Sequence, residues 1–282
     1  MLYNYIFSGN LGKLLSALPE KKNHTDEYIA WRDGWKEKML STPCREFTLE
    51  NPKGIKLKGF YYQAGDAPSG RIAFIVHGYR SEHAEAAGPF LQLYHSRGID
   101  VFAVDLAAHG ESEGELIGWT YPESEDCLLW LELLLMEFGE DIRIILHGFS
   151  MGGCIVLSMA DRVPENVAFI IDDCGFTSAE DMLRPQLGPL YPVLNALNLK
   201  KQGFSLSSSD ARPHLKEAKC PVLFCHGLQD PVVPPEMTEE LYRCCSSPKD
   251  RLLVSGAKHV ECLWRAYGQY AAAIDRFVQF YL

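Results

Sequence analysis

Residues Ile142 to Leu157 read Ile-Arg-Ile-Ile-Leu-His-Gly-Phe-Ser-Met-Gly-Gly-Cys-Ile-Val-Leu, with Gly148-Phe149-Ser150-Met151-Gly152 at the centre. The isoleucine-rich segment before the first glycine suits a buried strand, and the small-residue segment after the second suits a helix packed closely on a sheet. Ser150 then stands on a strand-to-helix turn. Glycines two before and two after it are required because side chains there would collide with neighbouring backbone. Such a turn exposes the serine hydroxyl and aims the Met151 N–H, at a helix start, toward the place where an oxyanion would form. An ordinary glycine-flanked turn has the same five residues. The two readings part on whether an acid and then a histidine follow on loops after later strands.

Downstream, Val167 to Ile171 reads as the next strand and ends in Asp172-Asp173. Pro221 to Cys225 is a buried strand that delivers His226-Gly227-Leu228-Gln229-Asp230, and Arg251 to Val254 is a last strand that delivers Ser255-Gly256-Ala257-Lys258-His259. Only one histidine follows Asp230, so the order Ser150, Asp230, His259 supplies nucleophile, acid and base. His226 precedes the acid and His214 lies in a connection, so both break that order. Asp172 and Asp173 are the rivals for the acid. Between Phe176 and Lys219 the chain is irregular and rich in proline and leucine. A loop of that length is usually functional, and a small cap of one or two short helices over the cleft, touching the non-reacting part of the substrate, is expected there. Pro234 and Pro235 start a helix toward Tyr242, and a final helix runs from about Gly268 to Tyr281.

Upstream, Arg71 to Val76 is a buried strand leading into His77-Gly78-Tyr79-Arg80 and a helix over about Ala84 to Ser96. The Tyr79 N–H is the candidate for the second oxyanion donor beside Met151. Asp100 to Asp105 is another buried strand, opening into a polar loop through His109 and Gly114. His77 and His109 read as structural histidines that bond loop backbone. Trp119 and Tyr121 fit either a cleft wall or the core. Thr120 with Glu123 fits a capping box, and Gly139 a helix stop, so Glu123 to Phe138 reads as a long buried helix. Arg45 to Leu57 alternates around Asn51-Pro52-Lys53-Gly54, an edge hairpin with its lysines in water. Asp26 to Met39 reads as a helix with no chemistry, and Leu11, Leu14, Leu15 and Leu18 fall at helical spacing up to Pro19.

A chain of 282 residues holds one large α/β domain, with 47% apolar and 23% charged residues, as in globular proteins. The division expected is an N-terminal helical segment over 1–43 and an α/β domain over 44–282, with the cap insertion at about 176–219. A net charge of -10 with 37 acidic residues excludes nucleic acid as the main partner. The nine cysteines show neither zinc-site spacing nor the density of a small secreted scaffold, which points to a reducing, cytoplasmic setting. Leu2 to Phe7 is a poor signal peptide, and no run reaches membrane-span length, so stable membrane insertion is not expected.

Taken together, the strand with His77-Gly78-Tyr79, Asp105 through His109-Gly110-Glu111-Ser112, Gly148 to Gly152, His226-Gly227 with Asp230, and Gly256 with His259 resemble the α/β-hydrolase superfamily. The resemblance covers about Arg45 to Leu282. Within the superfamily it is nearest the serine aminopeptidase-like, bacterial esterase-type branch with a short cap. It implies a mostly parallel sheet with helices on both faces, hydrolysis of esters or less often amides, and no cofactor or metal. The expected partner is a small-molecule ester or amide, with the oligomeric state left open. Carboxylic esters of small or medium acyl groups are the first expectation. An aminopeptidase or amidase with the same residues, and a catalytically silent scaffold, are the alternatives. A dehalogenase is disfavoured because it needs a carboxylate where Ser150 stands.

Overall fold

A computed structural model describes residues 2–8 and 24–282. Its centre is an eight-stranded sheet: β1 (Arg45–Glu50), β2 (Lys56–Tyr62), β3 (Arg71–Val76), β4 (Asp100–Asp105), β5 (Arg143–Phe149), β6 (Val167–Asp173), β7 (Val222–Gly227) and β8 (Lys249–Val254). Their spatial order is β1-β2-β4-β3-β5-β6-β7-β8. The pairs β1/β2 and β2/β4 are antiparallel and every later pair is parallel. Parallel strands need crossovers, which cover both faces, so the inner strands carry runs of consecutive buried apolar residues, such as 72–76 and 167–171. Ile72, Phe74 and Val76 of β3 enter one core while Ala73 and Ile75 enter the other. The parallel arrangement brings the C-terminal ends of β3 to β8 to one rim, where ligand sites of open α/β sheets form.

The helices are α1 (Leu2–Phe7), α2 (Asp26–Ser41), α3 (His83–His95), α4 (Tyr121–Phe138), α5 (Met151–Leu157), α6 (Ala179–Leu187), α7 (Tyr191–Gln202), α8 (Arg212–Lys216), α9 (Pro235–Cys244), α10 (Cys262–Arg265) and α11 (Tyr267–Tyr281). One core takes Phe7 of α1, Trp130 and Leu134 of α4, α5, and Leu241 of α9; the other takes Met39 of α2, Leu93 and Tyr94 of α3, and Ile274 and Phe277 of α11. Each such side chain contributes about 1.5 to 3 kcal/mol by leaving water.

The edge hairpin forms as expected, with Gly54 at φ 74° donating to the Asn51 carbonyl. Glu123 accepts from the Thr120 N–H, and Gly139 ends α4. Three features differ from the expectations. The strand β6 runs two residues further, so Asp172 and Asp173 lie within the sheet. Residues 176–219 hold three α-helices and two short 3-10 turns rather than one or two helices. The reason is that Pro192 and Pro213 occupy first-turn positions, where the missing N–H costs nothing, and Ser178 caps α6 by accepting from the Asp181 N–H. Leu2 to Phe7 is helical although nothing in six residues announces it. The helix expected over Leu11, Leu14, Leu15 and Leu18 lies outside the described residues.

Candidate active site

The turn between β5 and α5 holds Ser150 at φ 54°, a left-handed conformation that an L-residue adopts only under constraint. The constraint is visible in the packing: a Cβ on Gly148 would lie 2.1 Å from the Gly152 carbonyl oxygen, and one on Gly152 would lie 2.1 Å from that of Val76. Helix and strands are therefore closer than any side chain allows. The Ser150 N–H is held by the Asp173 carbonyl at 2.9 Å, and its own carbonyl accepts from Cys154 at 3.1 Å. Met151 opens α5, where backbone N–H groups have no partner within the helix.

Two loops from the far side of the sheet meet this turn. Gln229 N–H donates to the Ala257 carbonyl at 3.0 Å, and a Cβ on Gly227 would lie 2.4 Å from the same oxygen. Clamped in this way, Asp230 and His259 face each other: the His259 Nδ1 is 2.7 Å from Asp230 Oδ2, and its Nε2 is 2.9 Å from Ser150 Oγ. The other carboxylate oxygen of Asp230 accepts from the N–H groups of Val232 at 2.8 Å and Val233 at 3.0 Å. Burial alone would raise the Asp230 pKa, but the hydrogen bonds from His226 and His259 hold it well below the usual carboxylate range. Asp230 is thus an anion with every acceptor site in use.

The rival acids are elsewhere. Asp173 accepts from the Tyr270 hydroxyl at 2.8 Å, and Asp172 accepts from the Gly175 N–H at 3.0 Å. Burial pushes their carboxyls up to about 6 and about 7 respectively. Neither carboxyl bonds His259. His226 is bonded to Thr238 and the Val233 carbonyl, with its Nε2 also 3.3 Å from Asp230 Oδ2, and His214 is bonded to Asp161.

His77 and His109 hold the neighbouring loops. His77 Nε2 accepts from the Leu106 N–H at 3.0 Å, and His109 Nε2 accepts from the Arg80 N–H at 3.1 Å. Both roles need a bare nitrogen, and burial pushes both imidazoles below their ordinary pKa, that of His109 to about 3. The loop so fixed passes Gly78 against Ser150, where a Cβ would lie 3.2 Å from the serine Cβ, and puts Tyr79 next in line.

The same loop is tied to α1. The last carbonyls of a helix lack internal partners; here that of Ile6 accepts from the Tyr79 hydroxyl at 2.8 Å and from Trp119 Nε1 at 3.4 Å, that of Phe7 accepts from the Ile117 N–H at 2.6 Å, and that of Tyr5 accepts from Arg80 Nη2. Trp119 is buried against Tyr79, with ring centroids 4.9 Å apart.

A cavity of about 490 Å³ opens beside Ser150 and His259. Its described lining includes Tyr28, Trp31 and Arg32 of α2, which the sequence reading treated as free of chemistry, and none of residues 176–219. Trp119 and Tyr121 do not line it either. The spacing of Tyr28, Trp31 and Arg32 marks one helix face, the only signal that could have drawn attention to them. Among the described residues, Cys174, Asp230 and His259 form the one group of three potential metal ligands, with their ligand atoms within 4.8 Å of one another. Asp230 and His259 are already engaged with each other, and burial keeps the Cys174 thiol protonated by pushing its pKa well up.

Comparison with known proteins bears on the fold and the broad class. The family profile described as serine aminopeptidase, S33 matches residues 67–198, and that described as serine hydrolase (FSH1) matches residues 144–260. An esterase of Pyrococcus furiosus superposes with a TM-score of 0.68 at 21% identity, over 86% of this chain and 95% of that one. The chain has the α/β-hydrolase fold. Acetyl xylan esterase 1 of Thermoanaerobacterium shares the α/β-hydrolase fold with a TM-score of 0.63 at 17% identity, over 94% and 99% of the two chains. In sequence, the chain is 24% identical over 241 residues to the uncharacterized protein YqkD of Bacillus subtilis, covering 82% of this chain and 78% of that protein. No helix of the described residues is long and apolar enough to cross a membrane.

Proposed function

We propose that this serine-hydrolase-type protein cleaves carboxylic esters of small or medium acyl groups through Ser150, His259 and Asp230. The observation that carries the reading is the unbroken series from Asp230 Oδ2 to His259 Nδ1 at 2.7 Å and from His259 Nε2 to Ser150 Oγ at 2.9 Å. Ser150 Oγ attacks the carbonyl carbon while His259 Nε2 takes its proton. Asp230, anionic throughout, keeps the proton of His259 on Nδ1, so that Nε2 is free to accept. The Tyr79 and Met151 N–H groups receive the developing oxyanion, a contribution of about 10² to 10³ in rate per donor. His259 returns the proton to the departing alcohol, leaving an acyl-enzyme on Ser150; water, deprotonated by His259 in its turn, releases the acid. The cycle balances without a cofactor or metal.

A fluorophosphonate probe tests the reading: Ser150 should become labelled, and a folded protein left unlabelled would end it. Amide cleavage with the same residues is the second reading, favoured by the serine aminopeptidase profile. A panel of aryl esters against aminoacyl arylamides separates the two. A silent scaffold is opposed by the intact Asp230–His259–Ser150 series. Residues 176–219 are proposed to cap the rim from outside the cavity, since none of them lines it. All nine cysteines are free, which supports a reducing, cytoplasmic setting. The acidic balance of the chain supports a small-molecule substrate rather than nucleic acid.

A further inference from the structure

The cavity beside Ser150 and His259 is lined by three charged side chains of fixed sign: Arg32, Arg80 and Glu85. Arg32 is engaged, with Nη1 3.3 Å from Glu85 Oε1 and Nη2 2.9 Å from Asp33 Oδ1, so Glu85 and Arg32 offset each other. Arg80 is different. Among the described residues no carboxylate pairs with it; its Nη2 donates to the Tyr5 carbonyl, and its Nε is a buried donor without a partner. Its guanidinium lies over the rings of Tyr79, at 4.8 Å, and Tyr5, at 5.2 Å. Its backbone sits at φ 57° with the N–H held by His109. The side chain is therefore fixed at both ends before any substrate arrives, and it starts one residue after the proposed oxyanion donor Tyr79. A guanidinium offers a planar fork of donors that fits a carboxylate in two parallel hydrogen bonds, and holding it still in advance lowers the entropy cost of using it. Among the described residues the cavity thus carries one cation without a carboxylate partner, in the same space as the nucleophile.

Resting on the ester-hydrolase reading, we infer that Arg80 determines specificity in this cavity and that the preferred ester carries a carboxylate on its non-reacting part. An α-amino group, as in an aminopeptidase substrate, would meet a like charge there.

The test compares kcat/KM for 4-nitrophenyl half-esters of succinic, glutaric and adipic acids with their methyl-capped neutral counterparts, and for 4-acetoxybenzoate with its methyl ester, so that the charge is offered on either side of the scissile bond. The charged member of at least one pair should exceed the neutral one by about tenfold to a hundredfold, the range of a charge-assisted hydrogen bond. Arg80→Met should bring that ratio to about one, whereas Arg80→Lys should keep part of it. The ratio is the readout because damage to the loop after β3 lowers both members alike. Ratios of one or below in every pair of the wild-type protein, or an Arg80→Met variant that slows both members equally, overturn the inference while leaving the ester reading intact. If no ester turns over and Ser150 resists the fluorophosphonate, the ester reading itself fails. Anion preference is then read from thermal shifts of Ser150→Ala with monomethyl against dimethyl glutarate. A larger shift with the monomethyl ester that disappears when Arg80→Met is added supports the assignment, and equal shifts overturn it.

Discussion

Replacing Asp230 by asparagine tests the site more sharply than replacing Ser150, because shape is kept and only the pattern of donors changes. In the structure Asp230 uses acceptors on both sides: one oxygen takes the N–H groups of Val232 and Val233, and the other faces His259 Nδ1 at 2.7 Å and, at 3.3 Å, His226 Nε2. An amide has one oxygen. Turned toward the two backbone donors, it satisfies both, gives up only the longer His226 contact, and presents its NH₂ to His259, which then must accept on Nδ1 and carry its proton on Nε2. The nitrogen 2.9 Å from Ser150 Oγ becomes a donor and can no longer take the serine proton. Turned the other way, the amide sets its NH₂ against two N–H groups and loses two hydrogen bonds, about 2 to 3 kcal/mol. The first orientation wins, and kcat should fall by about 10⁴. The assay is steady-state hydrolysis of a 4-nitrophenyl acyl ester with the rate of fluorophosphonate labelling alongside, and a circular-dichroism melt to show that the variant folds. Asp172→Asn and Asp173→Asn serve as controls and should stay within about tenfold of wild type. A well-folded Asp230→Asn with nearly unchanged kcat, or an inactive Asp173→Asn, would refute the reasoning and move the acid onto β6.

Gly152→Ala should cost about 1 to 3 kcal/mol and slow Ser150 labelling by about a hundredfold, since its Cβ would lie 2.1 Å from the Val76 carbonyl oxygen and force β3 and α5 apart; a wild-type melt and labelling rate would contradict the close-packing account. Burial raises the Asp173 carboxyl to about 6 against about 3.9 in the unfolded chain, so the native state holds the extra proton and stability from this group falls as pH rises from about 4 through about 6. Urea unfolding of Asp173→Asn against wild type should therefore move in favour of the variant by on the order of 2 to 3 kcal/mol between pH 4 and pH 7, and parallel profiles would count against it. Trp31→Ala, which opens the α2 wall of the cavity, should raise the octanoyl-to-butyryl ratio of kcat/KM by about tenfold; an unchanged ratio would mean that α2 does not meet the acyl chain.

The strands and the three site residues were legible because their signals are local and redundant. A buried strand such as β3 or β7 announces itself as an apolar run, and Asp230 and His259 each follow a strand in the order that the serine turn demands. The structure brings them together at hydrogen-bonding distance. The part played by α2 was not legible: Tyr28, Trp31 and Arg32 announce a helix face, but nothing in their spacing says that the face packs beside Ser150, some hundred and twenty residues away in sequence. The helices between β6 and β7 were underestimated for a related reason. Proline breaks a helix in its interior and starts one at its first turn, and Pro192 and Pro213 do the second.

The carbonyls at the open end of α1 receive donors from the loop that carries Tyr79 and from Trp119. A purification handle fused ahead of Leu2 would therefore tug on the rim beside Ser150, and a low rate measured with it would not count against the proposed activity. The opposite terminus is safer: Arg143, at the start of β5, binds the Tyr281 carbonyl, a full strand length of about 20 Å from Ser150. Handles for assay belong there.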